Sequence, residues 1–178
     1  MQEIDVIIPV YRPGKELVEL IERLEHQSVP VHRILLVNTE EKYWKAFEYD
    51  HPHRKRYENI RLWHISKREF DHGKTRREAV KKSKAGIFVM MTQDAMPADE
   101  FLLERLTAPL SQKNMAASYA RQLPGDDAGA VERFTRQFNY PPESRIKSAA
   151  DIPELGIKTY FCSNVCAAYR RDIYERQG

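Results

Sequence analysis

The chain has 178 residues, 42% of them apolar and 31% charged, with a net charge of +3 at neutral pH. That length allows one sizeable core, and apolar residues arranged in periodic blocks exclude a disordered chain. No apolar run approaches the roughly 20 residues of a membrane span, Met1-Gln2-Glu3 leads into a strand pattern rather than a signal peptide, and Cys162 and Cys166 make no disulfide framework. The expectation is a soluble protein of the reducing cytoplasm.

In chain order, residues 4–10 (IDVIIPV) are a β-branched apolar run that predicts a buried strand, broken by Tyr11-Arg12-Pro13-Gly14. Leu17, Leu20, Ile21 and Leu24 then mark one face of a helix that Ser28-Val29-Pro30 stops. Residues 33–37 (RILLV) predict a second buried strand, completing a βαβ unit with parallel strands. Residues 40–58 are polar and aromatic and read as loop, His51-Pro52-His53 included, with Trp44, like Trp63 further on, as a packing residue. Residues 59–65 (NIRLWHI) alternate as a strand. A helix is predicted over 74–84, after a turn at Gly73 that reads as a positive-φ position or a close approach to ligand. Residues 87–91 (IFVMM) follow as a strand and close a second βαβ unit. Pro97-Ala98-Asp99 starts another helix, with Asp99 as N-cap, that runs to Pro109. A strand over 115–121, a short helix over 132–138, a long strand over 159–169 and a helix over 171–176 complete the chain. The alternation predicts a layered α/β fold with a mostly parallel sheet.

Charge is unevenly spread. Residues 54–84 carry twelve Lys or Arg against four acids, a local excess of +8 that leaves −5 for the rest. Such a run is either a solvated face or a site for an anionic ligand. In open α/β sheets ligands bind outside the carboxyl ends of the strands. The residues expected there are Pro9-Val10-Tyr11, Asn38-Thr39, Phe70-Asp71-His72-Gly73 and Thr92-Gln93-Asp94. Asp94, a single carboxylate near Lys74, Arg76 and Arg77, suits a diphosphate whose charge is shared between a divalent cation and protein cations. On composition alone, a turn or cap residue is the simpler reading of Asp94.

IPVYR at 8–12, FDHGKTRREA at 70–79, FVMMTQDAMP at 88–97, RQLPGDDA at 121–128, RQFNYPPES at 136–144 and FCSNVCAAYRRDIYE at 161–175 together resemble the family 2 glycosyltransferases of the GT-A fold. Within that family they are most similar to bacterial rhamnosyltransferases. The resemblance implies one GT-A domain over 1–178, a donor-binding part at 1–110 and the start of an acceptor-side part at 111–178. It also implies a C-terminal end that is missing, with the general base beyond Gly178 in a protein of about 250–350 residues. Asp126, Asp127 and Asp151 read as solvated turn residues rather than that base. The nucleotide-sugar-binding set it implies is Pro9, Val10, Tyr11, Asn38, His72, Gly73, Arg76, Gln93 and Asp94, with His72 positioning rather than catalysing. Asp94 is the implied ligand of Mg²⁺ or Mn²⁺. Thr92 stands where the family has the first acid of its DxD, Asn38 where it has a base-reading aspartate, and Arg77 where it has an asparagine.

The reaction implied is transfer of a sugar, with inversion, from a nucleotide-diphosphate donor, dTDP-L-rhamnose, to a bacterial surface polysaccharide or lipid-linked glycan. Peripheral contact of the basic segment with the inner membrane face belongs to this expectation, and a DNA partner does not. The alternatives are a related transferase using a UDP-sugar and a non-catalytic nucleotide- or RNA-binding α/β module.

Overall fold

A computed structural model describes residues 2–125 and 127–177. Its elements run β1 (Ile4–Tyr11), α1 (Lys15–Glu25), β2 (Arg33–Thr39), α2 (Glu41–Asp50), β3 (Ile60–Ile65), α3 (His72–Lys82), β4 (Ile87–Met91), α4 (Leu102–Thr107), β5 (Ala117–Tyr119), α5 (Ala130–Asn139), α6 (Ile152–Leu155), β6 (Cys166–Arg170) and α7 (Arg171–Gln177). Short 3₁₀ turns follow α4 and flank α6. The strands form one sheet in the order β3-β2-β1-β4-β6-β5. β1 to β4 are mutually parallel, while β6 runs antiparallel to both β4 and β5.

Strand alternation divides the core between the two faces of this sheet. Val6, Ile8, Val10, Ile34, Leu36, Val89 and Met91 point to one face, where Leu17, Leu20 and Leu24 of α1, Trp44 and Phe47 of α2, and Leu103 and Leu106 of α4 cover them. Ile7, Leu35, Val37, Phe88 and Met90 point to the other, under Ala79 and Val80 of α3 and Tyr174 of α7. Burial on both faces explains why β1, β2 and β4 read as continuous apolar runs rather than alternating ones.

The sequence expectations fail in five places, each for a local physical reason. The helix expected from Asp99 starts at Leu102 with Phe101 at the N-cap position, because the Asp99 carboxylate accepts from the Phe101 amide at 2.9 Å and pairs with Arg105 at 2.8 Å. Residues 41–50 are α2 and not loop: Trp44 and Phe47 make only a two-residue apolar stripe, too short to register as a helical period. The strand expected over 159–169 is confined to β6, and residues 156–160 form a 3₁₀ turn with exposed Ile157 and Tyr160. The strand expected over 115–121 shortens to three residues at the sheet edge. Gly73 has no positive φ and lies inside α3, because Asp71 caps the helix two residues earlier and accepts from the Gly73 and Lys74 amides at 2.9 and 2.7 Å. A Cβ at Gly73 would meet Asp71 Oδ1 at 3.6 Å, ordinary contact, so the backbone there has room for a side chain.

β1 pairs with β2 on one side and β4 on the other, so the chain reverses its direction of sheet growth between β1 and β4. The strands splay at such a switch point, and their carboxyl ends frame a crevice.

Candidate active site

The crevice is built by two chain segments and one side chain that joins them. The β1–β4 ladder extends to the Ile7–Met90 pair. Beyond it the Gln93 side-chain amide takes over: Tyr11 N donates to Gln93 Oε1 at 2.8 Å, and Gln93 Nε2 donates to Tyr11 O at 2.9 Å. This reproduces a backbone pair with a side chain and locks both strand ends together. Gln93 belongs to a tight turn, Thr92 to Ala95, closed by an Ala95 N to Thr92 O bond of 3.1 Å. The turn lifts Asp94 out of the sheet, where its carboxylate is exposed. Thr92 Oγ1, two residues earlier, is buried without a partner.

On the β1 side, Val10 faces the core, so only its backbone is available to a ligand, while Tyr11 is 39% exposed. The Tyr11 ring meets Tyr43 of α2 edge-to-face at 5.3 Å. Arg12, at φ 49°, places its guanidinium 5.3 and 5.0 Å from these two ring centroids and donates to Tyr43 Oη at 3.2 Å. That hydrogen bond, with Tyr11 adding to it, lowers the Tyr43 phenol below its ordinary range and raises Arg12. The result is an exposed aromatic platform beside the β1 end.

Asn38, paired with Val10 across the ladder, is fully buried. Its Nδ2 donates to Glu40 O at 3.1 Å and lies 3.0 Å from His64 Nδ1, and its Oδ1 is buried without a partner. Pro9 is partly buried one residue earlier. The expected residues Pro9, Val10, Tyr11, Asn38, Gln93 and Asp94 therefore lie at the adjoining carboxyl ends of β1, β2 and β4.

Asp94 opens onto a cavity of about 280 Å³, lined also by Arg121, Gln122, Arg136, Met96, Leu102 and Cys166. Two guanidinium groups and one carboxylate around an apolar floor suit an anionic or polyhydroxylated ligand. Burial pushes the Cys166 thiol up to about 12, so it contributes packing and no nucleophile. His72, Gly73 and Arg76 line a second cavity with Met90, Asn164, Tyr169 and Tyr174. Met90 and Met91 are successive strand residues, so the two cavities lie on opposite faces of β4. His72 stacks edge-on to Phe70 at 5.0 Å, and its carbonyl accepts from Arg76 Nη1 at 2.9 Å.

Asp127 sits in a turn, Asp126 lies outside the described residues, and Asp151 accepts from Ser148 N and from Arg145 in a capping box. Arg12, Tyr43, Arg121, Arg136, Asn164, Tyr169 and Tyr174 were not singled out by sequence reasoning. Reading 40–58 as loop hid Tyr43; the others sit in segments that carried the resemblance but offered no local signal of function.

The glycosyl transferase family 2 profile matches residues 5–178. The chain belongs to that family. It is 35% identical to the O-antigen chain rhamnosyltransferase RfbN of Salmonella typhimurium (strain LT2) over 174 residues, 97% of this chain and 54% of that protein. It is 45% identical to the O-antigen chain rhamnosyltransferase WbaN of Salmonella anatum over 115 residues, 64% of this chain and 36% of that protein. The chain thus spans about half the length, or less, of the curated relatives it matches. Solved structures share the fold: the mannosyltransferase PcManGT of Pyrobaculum calidifontis, in complex with GDP-Man and Mn²⁺, superposes with a TM-score of 0.62 over 99% of this chain and 47% of that one, at 14% identity. S. aureus TarS 1–349 gives 0.65 over 98% and 49%, at 16% identity. At such identities the likeness establishes the GT-A fold of this family 2 chain.

The family's divalent metal can be tested against the residues present. Among the described residues no group of three His, Cys, Asp or Glu could hold an ion unaided. Asp94 and the unpartnered Thr92 hydroxyl are hard oxygen donors at the turn, which fits a cation that takes its remaining ligands from phosphate and water.

Proposed function

We propose that this family 2 chain binds a nucleotide-sugar donor, dTDP-L-rhamnose, in the β1–β4 crevice, and serves rhamnosyl transfer to a surface polysaccharide. The observation that carries the reading is the exposed Asp94 carboxylate on the turn that Gln93 fastens to Tyr11 at the switch point. That RfbN and WbaN are O-antigen chain rhamnosyltransferases supports the choice of sugar.

In this reading the base packs on the Tyr11–Tyr43 platform, and Asn38 shapes the floor beneath it, with Oδ1 as its one unspent acceptor. His72, Gly73 and Arg76 serve the donor from the α3 side. Asp94, with the Thr92 hydroxyl, holds Mg²⁺ or Mn²⁺. The chemistry a bound ion supplies there is neutralisation of charge on the leaving diphosphate. Inversion follows from a single displacement: the acceptor hydroxyl bonds to C1 as the C1–O bond to phosphate breaks, and the hydroxyl proton passes to a base. Asp151 is not that base, because Ser148 and Arg145 take up its oxygens and hold its carboxyl below the usual range. The acceptor approaches from the Arg121–Arg136 side of Asp94. No helix among the described residues is long and apolar enough to cross a membrane. Contact with an anionic inner-face surface falls to the exposed cations Lys55, Arg56, Arg61, Lys67 and Arg68 around β3.

Calorimetric titration with dTDP and with UDP, each in Mn²⁺ and in EDTA, tests the proposal. Metal-dependent binding that favours dTDP is expected. Tighter UDP binding would replace the donor, and metal-independent binding of both would remove Asp94 from its role.

A further inference from the structure

Helix α5 is amphipathic in the wrong sense for a monomer. Val131, Phe134 and Phe138 form one stripe along it and are 81, 68 and 57% exposed, and none of its ten residues is buried. The charged side turns inward instead. Arg136 is partly buried against the Asp94 cavity, and Arg133 donates to Ala128 O at 2.9 Å and Gly125 O at 3.3 Å. The Phe134 and Phe138 rings stack at 6.1 Å, so the stripe is held in one arrangement. It continues onto the 3₁₀ turn at 156–160, where Lys158 Nζ sits 3.6 Å from the Phe138 ring centroid. Ile157 and Tyr160, three apart and so on one side of that turn, are 86 and 72% exposed.

At ~150–250 Å² for a full ring, Phe134, Phe138 and Tyr160 alone leave roughly 300–500 Å² of aromatic surface in water. Val131 and Ile157 bring the patch close to the ~800 Å² per partner of a standard protein interface. The flanks of the stripe select its occupant. Ala130, Thr135 and Gln137 border it and carry no charge. A lipid-facing helix needs Lys or Arg at such positions to reach the headgroups. The basic segment that suits an anionic surface lies at the β3 edge of the sheet, whereas α5 follows β5 at the other edge. Uncharged flanks instead let two copies of the same stripe meet without like-charge repulsion. An antiparallel crossing about a two-fold axis at Phe134 sets that ring against its counterpart and places Phe138 over Ala130 of the second copy. It also carries Lys158, the cation at the Phe138 end, toward Glu132 of the second copy. The Glu132 carboxylate is 49% exposed and held within its own helix only by a 3.5 Å contact with Arg136.

We propose that the outer face of α5, with the turn at 156–160, is a two-fold interface between copies of this chain. The interface is isologous, so association closes at a dimer. Its area lies at the small end of specific interfaces, which places the association in the micromolar range. Arg136 occupies the inner side of the same helix, so pairing braces one wall of the Asp94 cavity while using none of the residues that line it. The inference does not depend on the identity of the donor.

The test is sedimentation velocity of the chain at concentrations up to about 200 µM. A monomer–dimer equilibrium with no larger species is expected. Phe134→Glu, at an exposed position, should weaken it about tenfold or more while the far-UV circular dichroism stays that of the wild type. Glu132→Lys and Lys158→Glu should each weaken it, and the double variant should recover part of the loss, which the non-specific stickiness of an apolar patch would not produce. A chain that stays monomeric throughout, open-ended oligomers, a dimer indifferent to Phe134→Glu, or a double variant no better than the single ones overturns the proposal. Binding of a monomeric chain to phosphatidylglycerol vesicles that Phe134→Glu abolishes would give the stripe to lipid and overturn it too.

Discussion

Gln93→Ala removes the clasp between β1 and β4 without touching the core. The side chain makes two hydrogen bonds to Tyr11, at 2.8 and 2.9 Å, and both lie in exposed surroundings. Each intramolecular hydrogen bond contributes a net ~0.5–1.5 kcal/mol, so the pair is worth ~1–3 kcal/mol. Water can reach the Tyr11 amide and carbonyl once the side chain is gone, which places the expected loss in the lower part of that range, ~1–2 kcal/mol. For a domain of this size that corresponds to a fall in Tm of roughly 2–8 °C. Urea unfolding followed by far-UV circular dichroism should show a lower midpoint with an unchanged slope, because the surface exposed on unfolding hardly changes. Amide exchange at Tyr11 should accelerate locally, since its N–H loses its acceptor. The turn that carries Asp94 loosens with it, so metal-dependent nucleotide affinity falls alongside. An unchanged midpoint together with unaltered Tyr11 exchange would refute the clasp.

Three further perturbations probe other parts of the account. The Asp71 carboxyl is held below the usual carboxylate range chiefly by the Lys74 amide, with Gly73 assisting. Its contribution is therefore fully present above the unfolded value near ~3.9 and is lost as pH falls through the lower folded value. Asp71→Asn should be less stable than wild type at pH 7, with a gap in urea midpoint that narrows below about pH 4; a gap that widens there would contradict the cap. Cys166 is buried with its thiol pushed up to about 12, whereas Cys162 is exposed. A thiol reagent at pH 8 should titrate one cysteine in the native chain and two in denaturant; two fast native thiols would mean that β6 does not pack as described. Tyr43→Ala removes one ring of the platform and should weaken nucleotide binding roughly two- to tenfold; unchanged affinity for dTDP would place the base elsewhere.

Strands buried on both faces are legible as apolar runs, and this is why β1, β2 and β4 could be located from residue order; the switch point, which depends on β4 pairing with β1, could not. The acid at the tip of β4 was legible for a related reason: a polar turn after IFVMM has to leave the sheet, and Asp94 is its exposed residue. What was not legible depended on side chains meeting across long stretches of sequence. Gln93 could not be recognised as a clasp from its position, because its partner, Tyr11, lies 82 residues away. Tyr43 was lost with α2, where two buried aromatics in ten residues do not make a readable stripe. The cavity on the α3 face of β4 joins Arg76 to Asn164 and Tyr174, residues whose juxtaposition depends on β6 and α7 closing against β4 and α3. The positive φ expected at Gly73 failed because the Asp71 cap placed the helix start before the glycine.

Paramagnetic broadening by Mn²⁺ in the presence of dTDP tests the central claim most directly, because it reports where the ion sits. The account predicts amide signals of Thr92 to Ala95 and Tyr11 broadened first, with the effect gone in Asp94→Asn and reversed by EDTA. Broadening centred on any other segment, or undiminished in Asp94→Asn, would contradict a donor site organised around Asp94.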